Sequence, residues 1–95
     1  MALKTTRFDV AEHLETLDDV AAYLEAVFED GDPALIADAF GVVARAKGMT
    51  EIAESSGLTR ASLYKALSKD GNPEFATILK VMNALGLKFS VAANG

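Results

Sequence analysis

The side chains with the most chemistry to offer lie together in Thr50-Glu-Ile-Ala-Glu-Ser-Ser-Gly-Leu-Thr-Arg-Ala-Ser-Leu-Tyr-Lys-Ala-Leu67. Arg60 carries a planar fork of donors that matches the O6 and N7 acceptors of guanine. Ala61 is small enough to let a base edge approach, and its methyl suits that of thymine. The Thr59 and Ser62 hydroxyls can donate to bases or phosphates, and Lys65 reaches either one turn further on. The Tyr64 hydroxyl, Thr50, and the downstream Lys69 and Asn72 suit phosphate oxygens. The set divides into base readers (Arg60, Ala61, Ser62, Lys65) and phosphate contacts (Thr50, Thr59, Tyr64, Lys69, Asn72) of a surface for double-stranded DNA. The same outer face would also serve a protein-docking module, which would show no salt-sensitive association with promoter DNA.

These side chains need a scaffold, and the flanking residues supply one. Ala53 is small at the middle of a short helix over about 49–56, where a second helix can cross closely. Gly57 follows four residues later, where the chain must reverse. Ile52, Leu58, Leu63, Ala66 and Leu67 face inward, and Thr59 caps a second short helix over about 60–68. Two helices joined by so short a glycine turn describe a helix-turn-helix, whose second helix enters the major groove by its N-terminal end.

Upstream, Leu17, Val20, Ala21, Leu24, Val27 and Phe28 form one helical stripe, capped by Thr16 with Asp19 three residues on. Glu29-Asp-Gly-Asp-Pro33 breaks the chain; Asp32 caps the next helix and Pro33 takes its first position. That helix runs to about Lys47, burying Leu35, Ile36, Ala39, Phe40, Val43 and Ala44, and Gly48 stops it. Downstream, Asn72 caps a last helix over about 73–85 whose buried face is Phe75, Ile78, Leu79, Met82 and Leu85, ended by Gly86. Leu87, Phe89 and Val91 then alternate with polar or small residues, the period of a short β-strand. Such a strand needs a partner in residues 4–10, in a dimer mate or in another protein. The expected fold is all-α: an acidic N-terminal extension with one amphipathic helix over 1–32, then a helix-turn-helix domain over 33–95 closing in that strand, the two forming one compact unit.

The 95 residues suit one domain, and their net charge of −5 is unevenly spread. Residues 1–32 hold two basic and nine acidic side chains, a net of −7, whereas residues 33–95 hold seven basic and five acidic, a net of +2. The split suggests two surfaces with different partners, or an acidic face that only confers solubility. With no cysteine, disulfides, thiolate metal sites and cysteine nucleophiles are excluded. The lone His13 has no second ligand, and Asp18 with Asp19 reads as ordinary first-turn acid rather than a catalytic pair. No glycine-rich phosphate loop follows a strand. No catalytic residue, metal or cofactor is expected. The start lacks a signal-length apolar core and no run approaches the ~20 residues of a membrane span, so a cytoplasmic protein with no membrane partner is expected.

The span 34–85 resembles the five-helix DNA-binding domain of the Cro and lambda-repressor class, through the spacing of Ala53, Gly57, Thr59, Ser62-Leu63 and Gly71. The chain from about 17 to 91 is similar to the HigA-like addiction module antidotes, the antitoxins of type II toxin–antitoxin operons. The resemblance rests on Tyr23-Leu-Glu-Ala26, Gly31-Asp-Pro-Ala34, Arg45-Ala-Lys-Gly-Met-Thr50, Gly57-Leu-Thr-Arg-Ala-Ser-Leu-Tyr-Lys-Ala-Leu67, Gly71-Asn-Pro-Glu-Phe75 and Ala84-Leu-Gly-Leu87. It implies a homodimer that represses its own operon and neutralises a small basic RelE/ParE-like toxin. A stand-alone Cro/C1-type repressor without a toxin is the alternative. One position departs from the wider class: Met49 stands where a phosphate-contacting glutamine is common, leaving Thr50 or a backbone N–H to make that contact.

Overall fold

The computed structural model describes residues 14–94, and within them the local signals at each break in the chain decide where helices begin and end. Helix α1 spans Leu17–Asp30. Thr16 accepts from the Asp19 backbone N–H at 3.0 Å while the Asp19 carboxylate accepts from the Thr16 N–H at 3.1 Å, a complete capping box. Helix α2 spans Pro33–Lys47, with the Asp32 carboxylate accepting from the Ala34 N–H at 2.9 Å and Pro33 in the first turn. Gly48 separates it from α3, Met49–Ser56, and α4 follows at Arg60–Ala66 after a turn in which Gly57 takes a left-handed φ of 77°. The last helix, α5, spans Phe75–Leu85 and ends at Gly86.

Helix α2 is the centre of the fold. Its residues from Ala39 to Ala44 are buried without interruption, so it is enclosed around its whole circumference rather than along one stripe. The other four helices all pack against it, α3 also packs on α4 and α5, and Phe40, Ile52, Leu63, Leu67, Val43 and Val81 are the largest fully enclosed side chains. Leu24 anchors α1 to this core, assisted by half-buried Val20, Tyr23, Val27 and Phe28.

Five residues of the expected apolar faces stand outward instead: Leu17, Ala21, Leu35, Phe75 and Leu79 are all exposed. Leu35 sits in the first turn of α2, before the stretch from Ala39 to Ala44 that the other helices enclose.

The start of α5 also differs from expectation. Asn72 adopts a left-handed φ of 45°, and Glu74 (φ −66°, ψ 152°) is the extended capping residue, so the helix begins two residues after Pro73. An N-cap takes extended backbone, which left-handed Asn72 does not have and Glu74 does, so the cap passes to Glu74.

No β-strand occurs among the described residues, so the expected C-terminal strand is absent. Its proposed pairing with residues 4–10 lies outside the described residues. The Leu87 N–H instead bonds the Met82 carbonyl at 2.9 Å, closing α5. Phe89 then packs edge-on to Phe28 and against Phe75, with ring centroids 5.6 and 5.8 Å away. Leu87 and Phe89 are half-buried while Lys88 and Ser90 are exposed. The two-residue alternation holds at Leu87 and Phe89 but fails at Val91, which is fully exposed, and it belongs to an irregular segment laid on helices. Phe28, Ile36, Phe75, Ile78 and Phe89 line an apolar groove of about 530 Å³ that is also bordered by Lys69 and Asn72.

Candidate nucleic-acid interface

Helix α4 has a sharply divided cross-section. Leu63, and Leu67 just beyond its end, are fully buried, whereas Arg60, Ala61, Ser62, Tyr64 and Lys65 are all exposed. At about 100° per residue the exposed set spans roughly 200° of arc, with Ala61 near its middle. Arg60 and Tyr64 flank Ala61 on one side; Lys65 and Ser62 flank it on the other. The four expected base readers therefore share one outward face.

The tail of this helix is fixed by close backbone approach. A Cβ at Gly41 would overlap the Leu67 carbonyl oxygen, and one at Gly71 would overlap the Ala66 carbonyl. Only glycine lets α2 and the following loop come so near, and together they set the orientation of α4. Ser68 adds a hydroxyl bond to the Lys65 carbonyl at 3.1 Å, and the Gly71 N–H bonds the Ser68 carbonyl at 3.0 Å. For Gly41 the interior of a helix offers no local sign of so close a neighbour.

At the head of α4 the hydroxyls are already engaged. Thr59 Oγ1 accepts from the Ser62 N–H at 3.1 Å, the capping bond expected of it. The Ser62 hydroxyl donates to the Thr59 carbonyl at 3.0 Å, and the Thr59 hydroxyl donates to Ser62 Oγ at 2.9 Å. Both donors are thus used internally, and what each oxygen offers outward is an acceptor. An acceptor suits the amino groups of cytosine or adenine rather than a phosphate, so a phosphate bond from Thr59 requires its hydroxyl to rotate.

Tyr64 likewise does more than present a hydroxyl. The Arg60 guanidinium lies over its ring, 5.8 Å from the centroid. The spacing of four residues on one helix is the sequence signal for this contact.

The remaining expected contacts lie off α4. Met49 is buried, so its side chain is core and not a surface substitute for glutamine. Thr50 is exposed on α3, with exposed Glu54 one turn further along the same face; that carboxylate opposes an anion there. Lys69 and Asn72 are exposed in the loop after α4, beside the apolar groove.

Among the described residues there is no cluster of His, Cys, Asp or Glu able to hold a metal ion, and no helix is long and apolar enough to cross a membrane. Over residues 4–93 the chain matches the family described as probable addiction module antidote protein. The chain belongs to that family. It is 49% identical over 84 residues to an uncharacterized protein of Haemophilus influenzae, covering 88% of this chain and 87% of the relative. No solved structure matches it. An antidote acts on a toxin, so membership implies a toxin partner and a regulatory role rather than a reaction of its own.

Proposed function

We propose that this antidote is the antitoxin of a type II toxin–antitoxin module and a sequence-specific DNA-binding repressor of its own operon. In this reading α3 and α4 are a helix-turn-helix of the Cro and lambda-repressor kind, and the protein works in the cytoplasm as a homodimer. The two α4 helices enter successive major grooves about 34 Å apart on a near-palindrome. Arg60, Ala61, Ser62 and Lys65 read bases; Thr50, Thr59, Lys69 and Asn72 hold the backbone. The observation that carries it is the division of α4, whose seven residues hold two exposed cations and no acid on a face that no other described residue buries.

The toxin in this reading is small, basic and RelE/ParE-like, contacted through α1. That helix carries Asp18, Asp19, Glu25, Glu29 and Asp30 and no basic residue, which favours a cationic partner.

The test is titration of the full chain against the duplex immediately upstream of its reading frame, across a range of salt. Affinity should fall steeply as salt rises, and Lys69→Ala should reduce the logarithmic salt slope by about one. Salt-independent binding, or none, ends the DNA reading. An adjacent reading frame encoding a small basic protein that is toxic alone supports the antitoxin half. Without such a neighbour the stand-alone repressor is the better reading.

A further inference from the structure

We infer that Tyr64 is a positioning residue, whose ring holds the Arg60 guanidinium in readiness for a guanine. The inference rests on the reading of α4 as the base-contacting helix, and it replaces the phosphate role that the Tyr64 hydroxyl suggested.

Arg60 and Tyr64 stand one helical turn apart on the same exposed side of α4. A side chain on a helix leans toward the N-terminal end, so the Tyr64 ring covers the turn that carries Arg60. The separation of 5.8 Å from guanidinium carbon to ring centroid is within the range of a cation–π contact. A contact of this length leaves N–H donors of the guanidinium free of the ring. They lie in the guanidinium plane and point outward from the edge, which is the edge that guanine O6 and N7 require. One planar group can therefore satisfy both partners at once. A free arginine surrenders much rotamer freedom when it docks on a base; one already stacked has less to lose. Tyr64 thereby acts on recognition through Arg60.

The experiment measures binding of the full chain to its upstream duplex and to single-base variants of that duplex. It compares wild type, Tyr64→Phe, Tyr64→Leu and Arg60→Ala, together with the Tyr64→Leu/Arg60→Ala double variant. Tyr64 is well exposed, so all variants should fold, and circular dichroism melts verify it. Tyr64→Leu should lower discrimination by about two- to fivefold at the base pair where Arg60→Ala relaxes preference. Tyr64→Phe, which keeps the ring, should match wild type. In the Arg60→Ala background, Tyr64→Leu should add nothing at that base pair.

An equal loss in Tyr64→Phe would assign the effect to the hydroxyl and overturn the inference. So would a loss at that base pair that persists without Arg60. Both outcomes leave DNA binding by α4 intact. If Arg60→Ala changes no base preference while salt-sensitive binding survives, base reading by Arg60 fails and the inference fails with it.

Discussion

Helices α1 and α4 are attached alike and present opposite charge. Each buries a single side chain fully, Leu24 in α1 and Leu63 in α4, and each rests against the enclosed α2. Outwardly, α1 carries five acids and no base over fourteen residues, while α4 carries two bases and no acid over seven. Similar anchoring with contrasting surfaces separates what holds a helix in place from what it offers a partner. It also reconciles a net-acidic chain with a cationic α4: the negative charge belongs to another face.

The comparison breaks first at the anchors. Leu63→Ala and Leu24→Ala should each cost about 2–5 kcal/mol in denaturant unfolding, with one transition in both cases. A far smaller loss for Leu24→Ala would mean that α1 is not part of the same cooperative unit. Next come the outer faces. Arg60→Ala should weaken binding to the upstream duplex by about 1–3 kcal/mol and relax preference at one base. The pair Glu25→Lys and Glu29→Lys should leave that base preference unchanged while weakening toxin neutralisation. Reversed results would assign the two helices to the opposite partners.

The caps sharpen the contrast at smaller scale. Thr59→Ala and Thr16→Ala should each destabilise by about 1 kcal/mol, read from the same unfolding curves. Smallest is Phe75→Ala: exposed and stacked chiefly on Phe89, it should cost less than about 1 kcal/mol. A loss comparable to Leu63→Ala would show that the groove side is core after all.

Much of this architecture was legible because it is written in short-range chemistry. Thr16 with Asp19, Asp32 before Pro33, and Thr59 with Ser62 each act within three residues, and each helix start they mark is where the chain forms one. The outer face of α4 was legible for the same reason, since Leu63 and Leu67 fix its inside and helical spacing fixes the rest. What failed depends on distant partners. Leu35 and Phe75 have the composition of core residues, yet other residues fill the available interior. The alternation at Leu87 and Phe89 is strand-like, but burial every second residue does not reveal whether a sheet or a pair of helices lies beneath. The packing of Gly41 against Leu67 at the tail of α4 joins residues far apart in sequence, and local spacing cannot express it.

Because α4 is seated by buried Leu63 and Leu67 and by the close main-chain approach at Gly41 and Gly71, its tilt does not depend on the side chains it displays. Positions 60, 61, 62 and 65 are all exposed. A different quartet placed there would be held at the same angle on the same frame, so relatives could diverge in what they recognise while the mounting beneath stays fixed.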